Sequence, residues 1–286
     1  MTDEVVKELY RSRWRRAREP LGLVDPGRDD FATGGLGRYV RHLTVRLLVL
    51  PADPEVSRLE FDEPLWNWWK GAHQSPFEGS GTDWGNSLLP TSSAAVRCLS
   101  LAEGRWDSYL ALPRYGGLEM GLGPEGAAER EGGRVFWLVR IVGRLWAALH
   151  LYREVVARFD IAGPWECSVA LVSTRGGNLS NFGAGWAEYP DPRANPRACS
   201  EPNLLTRREL IEWPDAEETR SLAFGFGAWI EDSWGDAMSA VFGQYRSAGR
   251  RVRPSALSMS SEQPATGTER MSSRYSTVEL LVVAAS

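Results

Sequence analysis

The sequence is poor in lysine, histidine and cysteine. Only Lys7 and Lys70 are lysines among its 33 basic residues, so the other 31 are arginines. Three cysteines at wide spacings, with no C-x-x-C, argue against a disulfide framework and a zinc finger. The most apolar stretch, residues 135–151, contains Arg140 and Arg144, which favours a buried helix over a membrane span.

The distribution of charge limits the location and the partners of the chain. Residues 1–20 are charged throughout, unlike a signal peptide, so we predict a cytoplasmic protein with no membrane association. The net charge of −4 excludes a polycation that would bind nucleic acid over its whole surface. The arginines suit bidentate contacts with phosphate, although a GC-rich genome would also favour arginine over lysine.

The first half of the chain shows the alternation that is typical of strands. In residues 38–50, apolar Leu43, Val45 and Leu47 alternate with polar side chains, which predicts a strand with one buried face. The other predicted strands of an antiparallel sheet are residues 94–101, 105–112 and 117–122. They are preceded by a predicted helix at 3–18 and a Pro- and Gly-rich linker or loop at 19–37.

The strongest helical pattern covers residues 134–160. Leu138, Leu145 and Leu149 recur on one face, and the polar face is narrow, which predicts a helix at the centre of the core. A buried strand at residues 165–173 and a polar connection at 174–203 are predicted to follow.

A capping box marks the start of the last predicted helix. Asp215 precedes Glu218 by three residues, and apolar residues at helical spacing extend the predicted helix over 215–243. The Ser-rich stretch 254–276 is predicted to be disordered. We therefore predict an α+β fold, an antiparallel sheet packed against a long central helix, with a basic N-terminal helix and a disordered C-terminal tail. The predicted divisions are 1–35 (basic helix and linker), 36–253 (one α+β domain) and 254–286 (tail).

Motifs for the common catalytic chemistries are absent. There is no G-x-x-x-x-G-K-[ST], G-x-S-x-G or H-E-x-x-H, and no His/Cys/Asp cluster at ligand spacing. Residues 121–126, GLGPEG, match G-x-G-x-x-G, but Pro124 interrupts the helix that a dinucleotide site needs, so a glycine-rich turn is predicted. His150, with Glu154 one turn later, is predicted to be a core or flank histidine. No cofactor and no metal are predicted.

Aromatic and acidic residues provide other candidate sites. The cluster WNWWK at residues 66–70 is typical either of a stacking surface for a sugar, a base or a protein partner, or of a core plug under a loop. Glu119 lies between Gly117 and Gly121 on one strand face, where a carboxylate could meet a ligand or simply face solvent or a packed helix. With Asp62 and Asp83 it forms the set of scattered carboxylates on which a hydrolase or transferase would depend.

The N-terminal helix carries a basic cluster around an aromatic residue. From Lys7 to Arg18 there are six positive charges and one carboxylate, a local charge of +5. Basic residues around an aromatic suit phosphate contact; alternatively they pair with the acidic region 201–236. The candidate nucleic-acid-binding residues are Arg11, Arg13, Trp14, Arg15, Arg16 and Arg18.

Four stretches carry a resemblance to a known family. RYGGLEMGLG, VGRLWAALHLYREVVARFDI, GPWECSVALV and ELIEWPDAEETRSLAF occur in this order within residues 36–243. In this order they resemble the region that follows the Schlafen-like DNA-binding domain in some actinobacterial proteins. That domain, with its acidic strand and Asn-x-Gly-Gly turn, is not in this chain, so no catalytic residue is carried over. The resemblance implies a link to nucleic-acid or defence-related function.

Together these observations favour an accessory binding or regulatory module connected with nucleic acid over an enzyme. Two alternatives stay open. One is a protein–protein scaffold that uses the Trp-rich patch, and the other is an enzyme that uses the scattered carboxylates. A basic surface would favour the nucleic-acid module. An exposed Trp patch would favour the scaffold, and clustered carboxylates in one pocket would favour the enzyme.

Overall fold

The computed structural model describes residues 36–53, 59–71, 87–90, 94–100, 105–130, 133–180, 198–235 and 242–245, together with Glu4, Glu8, Arg11 and Ser12. Strands β1 to β5 are Val45–Pro51, Ser87–Pro90, Ala94–Ser100, Trp106–Pro113 and Leu118–Leu122. Strands β6 to β10 are Ala127–Arg130, Gly133–Trp137, Trp165–Val172, Asn178–Ser180 and Asn203–Leu210. The helices are α1 (Glu63–Gly71), α2 (Leu138–Phe159) and α3 (Ala216–Ser233), and short 3-10 turns span Leu36–Tyr39 and Gly243–Tyr245.

Seven strands form the central sheet, in the order β10-β8-β1-β5-β4-β3-β2, and every neighbouring pair is antiparallel. A smaller sheet has the order β6-β7-β9, with β7 and β9 parallel. Helices α2 and α3 pack on each other and, through one core, on the central sheet. The predicted α+β fold with a long central helix is therefore confirmed, as are the strands predicted over 94–101, 105–112, 117–122 and 165–173.

The prediction of one buried face for the first strand is wrong. Strand β1 lies between β5 and β8, and all seven of its residues are buried. Val45, Leu47 and Val49 belong to the core with α2 and α3, while Arg46 and Leu48 point to the opposite face and are also buried. Polar residues on a strand do not show which face is exposed when both faces of the sheet are covered.

The same prediction also began the strand too early. Residues 36–39 form a 3-10 turn, and His42 has φ of 48°, so the extended backbone begins only at β1. At Gly37 a Cβ atom would lie 3.1 Å from Leu43 and 3.3 Å from the Arg46 guanidinium. The glycine therefore lets this turn lie close to the sheet.

The helix predicted over 134–160 begins later than expected. Residues 133–137 form β7, which pairs with β6, and the helix begins at Leu138. Val135, Phe136 and Trp137 fit a helical and an extended pattern equally well, so pairing with β6 decided their conformation. From Leu138 onward the central apolar helix is confirmed, with Leu145 fully buried.

The capping box is present, but the last helix ends early. Asp215 accepts a hydrogen bond from the Glu218 backbone N–H at 2.8 Å, and the Glu218 carboxylate accepts one from the Asp215 N–H. The helix ends at Ser233 instead of continuing to residue 243, because Gly235 takes a positive φ of 76°. The buried Glu231 carboxylate then accepts a hydrogen bond from the Phe242 N–H at 3.0 Å.

The sequence pattern does not predict two of the strands, β9 and β10. Strand β9 falls inside the stretch 174–203, and β10 begins at its end. Strand β10 is an edge strand whose residues are mostly half-exposed, so NLLTRREL lacks the alternation of a half-buried strand. Strand β10 is therefore recognised only from its antiparallel pairing with the buried strand β8 in the folded chain.

Some predictions fall on residues outside those that the structure describes. In the predicted helix at 3–18, Glu4, Glu8, Arg11 and Ser12 are helical. Its other residues, the linker before residue 36 and the tail after residue 253 lie outside the described part, and the three predicted divisions stay predictions.

Candidate functional site

A cavity of about 430 Å³ opens between the turn before β1 and the end of β8. Its volume lies within the roughly 300–1,000 Å³ that is usual for small-ligand sites. The described residues that line it are Gly37, Arg38, Val40, His42, Leu43, Arg134, Val172 and Ser173. Arg38, His42 and Arg134 are basic, none of the eight is acidic, and the remaining wall is apolar or small. We name this site the cationic cavity, because its side chains suit an anionic group.

The turn that carries Arg38 and His42 is held by the glycine-rich turn after β5. The hydroxyl of Thr44 donates to the carbonyls of Gly123 and Leu122, at 2.9 and 3.0 Å. At Gly123 a Cβ atom would lie 2.2 Å from the Arg41 carbonyl, and at Gly126 one would lie 2.5 Å from the Thr44 hydroxyl oxygen. Residues 123–126 therefore form the predicted glycine-rich turn, whereas residues 121 and 122 still belong to β5. The glycines of the turn let the segment 40–44 pack against it.

Two residues of the cavity wall have left-handed backbone conformations. His42 has φ of 48° and Ser173 has φ of 57°, and neither is glycine. Such conformations cost about 1–3 kcal/mol and persist where surrounding contacts impose them. Here the Ser173 N–H donates to the side-chain oxygen of Asn203 at 2.9 Å, and the Val172 N–H donates to the Thr44 carbonyl at 2.8 Å. Both strained residues line the cavity.

Arg134, on β7, joins these two turns. Its guanidinium donates to the Ser173 carbonyl at 3.3 Å and to the His42 carbonyl at 3.5 Å, and its Nε lies 3.7 Å from the Glu129 carboxylate. Burial lowers the pKa of Arg134, and Glu129 partly opposes this shift. An arginine nevertheless stays charged at neutral pH. The cavity therefore contains the half-buried positive charge of Arg134, whose counter-ion Glu129 is exposed.

An aromatic pair lies beside the cationic cavity. The rings of Tyr39 and Trp106 have centroids 5.2 Å apart with planes inclined by 40°. Arg38, which lines the cavity, donates to the Tyr39 hydroxyl at 2.9 Å, and its guanidinium carbon lies 4.9 Å from the centre of the Tyr39 ring. We name Tyr39 and Trp106 the aromatic platform. Next to it Arg41 lies 3.3 Å from the Asp107 carboxylate.

Sequence reasoning did not single out the residues of the cationic cavity. Arg38 and His42 were placed in a strand, and Arg134 in a helix, where neither pattern indicates a site. The available signal was the run RYVRH at 38–42, directly after a Gly-rich stretch, which combines three basic residues with an aromatic one. No local pattern could bring Arg134 and Ser173 to the same place.

Of the predicted nucleic-acid-binding residues, only Arg11 is described. It is helical and lies 3.4 Å from Glu8 and 3.6 Å from Glu4, so it pairs with acids of its own segment. Arg13, Trp14, Arg15, Arg16 and Arg18 lie outside the described residues. Their contact with phosphate stays a prediction.

The Trp-rich cluster is part of the core. Helix α1 contains Trp66, Trp68 and Trp69; Trp69 is fully buried, and the other two are half-buried against the same core. The helix begins where Asp62 accepts a hydrogen bond from the Leu65 N–H at 2.9 Å. Of the two roles that the sequence leaves open for this cluster, the core role is confirmed, and these rings do not form an exposed patch.

The candidate carboxylates are not brought together. Asp62 caps α1 on the helical side of the central sheet, whereas Glu119 points to the opposite side and is fully buried. Glu119 lies 3.4 Å from Arg46 and accepts a hydrogen bond from the Tyr109 hydroxyl. Asp83 lies outside the described residues. Glu119 therefore neither faces solvent nor lies under a helix crossing, but is part of an internal ion pair.

The remaining titratable groups offer no second site in the described chain. His150 lies 4.0 Å from the half-exposed Glu154 carboxylate, yet burial, aided by Arg153, lowers its pKa. Burial raises the pKa of Cys98 to about 11, and all three cysteines are buried without a disulfide. Within the described ranges no group of three His, Cys, Asp or Glu side chains could hold a metal ion.

Comparison with family models, with curated proteins and with solved structures gives no match for this chain. The resemblance to the Schlafen-like group therefore stays a prediction. None of the helices in the described ranges combines the length and the apolar character that crossing a membrane requires.

Proposed function

We propose that this chain is an accessory module that binds nucleic acid through phosphate groups. The observation that carries the proposal is the cationic cavity, in which Arg38, His42 and Arg134 line a space of about 430 Å³. Guanidinium groups donate in pairs to phosphate oxygens, and a half-buried guanidinium is less screened by water than an exposed one.

The charge distribution supports the same proposal. The chain as a whole carries a net charge of −4, so a concentration of arginine and histidine around one cavity is a local feature. Phosphate contacts position a protein on nucleic acid without reading its sequence, and the cavity offers charge without a set of base-specific donors and acceptors.

The test is the binding of a short fluorescent oligonucleotide, followed by anisotropy at about 50 and 200 mM salt. We expect affinity to fall as salt rises, because each phosphate that the protein neutralises releases a counter-ion. Arg38→Gln should weaken binding and reduce the slope of log affinity against log salt by about 0.7 for a single strand. Arg134→Gln should do the same, and it is accompanied by a thermal melt because Arg134 also contacts two carbonyls.

Arg158→Gln is the matched control. Arg158 is exposed near the end of α2, about 30 Å along the helix from the end that adjoins β7. It should leave both the affinity and the salt slope unchanged. Absence of binding by the unmodified chain at low salt, or an equal loss in Arg158→Gln and Arg38→Gln, would overturn the proposal.

A further inference from the structure

We infer that the nucleic acid is single-stranded, with a phosphate in the cationic cavity and an unpaired base stacked on the aromatic platform. This inference rests on the proposed function, because it names the substrate class of the same site. It is carried by the position of Tyr39 relative to Arg38.

Tyr39 presents an aromatic surface to solvent. Its exposed fraction is 40%, and within the described residues the other exposed large hydrophobic side chain is Ile211, on the turn after β10. The Trp106 ring, which is inclined by 40° to it, is only 8% exposed. An exposed aromatic ring that packs on a buried one offers an ordered surface for a planar ligand.

Arg38 connects the platform to the cavity. Arg38 lines the cavity, and its guanidinium lies over the Tyr39 ring, 4.9 Å from the ring centre, and donates to the Tyr39 hydroxyl. A phosphate held by Arg38 therefore lies beside the platform, within the reach of a base attached to the same backbone. Aromatic rings and arginines together in this way are typical of single-strand recognition, in which bases stack on rings while the groove follows the phosphates.

The backbone holds the platform in position before any ligand binds. The Arg41 N–H donates to the Trp106 carbonyl at 2.8 Å, the Val40 N–H donates to the Gly37 carbonyl at 3.1 Å, and Val40 pairs with Trp106 in an isolated bridge. Tyr39 is thus fixed to the start of β4. In a duplex the bases are already stacked and paired, so their faces are not available to this platform, and single strands are favoured.

The deciding experiment compares an oligothymidylate, an abasic single strand of the same length and a duplex of that length. The abasic strand keeps the phosphates and lacks the bases. We expect the oligothymidylate to bind about 5- to 150-fold more tightly than the abasic strand, as one stacked base provides. Tyr39→Leu should remove this ratio because it removes the ring, and Tyr39→Phe, which keeps the ring, should retain it.

Ile211→Ala is the matched control, because it removes another exposed apolar side chain. Ile211 follows Leu210, which is paired with Trp165 at the opposite end of β8 from Val172, about 20 Å away. It should leave the ratio unchanged. Equal binding of the oligothymidylate and the abasic strand, or tighter binding of the duplex, would overturn the inference but leave the proposed function standing. Absence of binding to all three would overturn both.

Discussion

The buried ion pair between Arg46 and Glu119 allows a quantitative test of the fold. Arg46 Nη2 lies 3.4 Å from Glu119 Oε1, and the two side chains are 1% and 0% exposed. The Tyr109 hydroxyl donates to the same oxygen, and burial, with a further contribution from Glu119, raises the pKa of Tyr109 well above its usual value. The phenol thus stays a donor, and Glu119 is the acceptor for both neighbours.

The substitution that isolates this charge is Glu119→Gln. It keeps the shape of the side chain but removes the negative charge that lies 3.4 Å from the buried Arg46 guanidinium. Coulomb attraction at 3.4 Å amounts to about 5 kcal/mol at an effective dielectric constant of about 20, and breaking a buried pair from one side costs about 3–5 kcal/mol. We expect a loss of about 3–5 kcal/mol in the free energy of unfolding, and a similar loss for Arg46→Met.

The double variant distinguishes the ion pair from the loss of packing. Arg46→Met with Glu119→Gln leaves no unpaired charge in this part of the sheet. Its loss should therefore be smaller than the sum of the two single losses, by about 0.5–3 kcal/mol. Urea unfolding at neutral pH, with equal slopes for all variants, measures these free energies.

Glu217→Gln makes the same chemical change at an exposed carboxylate, which is paired with the half-buried Arg220. Its effect should lie within about 1 kcal/mol, because water screens the charge of the exposed partner. The reasoning is refuted if the two single losses at Arg46 and Glu119 add without coupling, or if Glu119→Gln costs no more than Glu217→Gln.

Two further predictions concern α2. Leu145→Ala should lower the free energy of unfolding, measured with urea, by about 2–5 kcal/mol, because Leu145 is fully buried in the core. A loss no larger than that caused by an alanine substitution at an exposed site would contradict this prediction. Burial, aided by Arg153, lowers the pKa of His150 below 6.5, so the unfolded chain takes up this proton first as pH falls. The stability that neutral His150 contributes should be complete above pH 6.5 and should decline below it. The urea midpoint of the unmodified chain should therefore fall between about pH 7.5 and 5.5, and it should fall less in His150→Gln. An equal fall in both would show that His150 does not contribute.

The elements that the sequence determines are those whose signals are local. The periodicity within residues 134–160 predicts α2, short apolar segments predict β3 to β5 and β8, and the pair Asp215 and Glu218 predicts the start of α3. Each of these signals acts between residues a few positions apart, so it can be read without knowing what the element packs against. The α+β class and the glycine-rich turn after β5 follow from the same kind of evidence.

Only the tertiary structure determines which faces of the strands are covered and which residues, distant in the sequence, lie together. The segment 203–210 is a strand because it pairs with β8. Arg46 is buried because β1 lies between β5 and β8 in the sheet. The cationic cavity joins residues 37–43, Arg134 and Ser173, which are separated by many tens of positions in the chain. No local preference encodes such a meeting, since it depends on strand order and on strained turns that surrounding contacts hold in place.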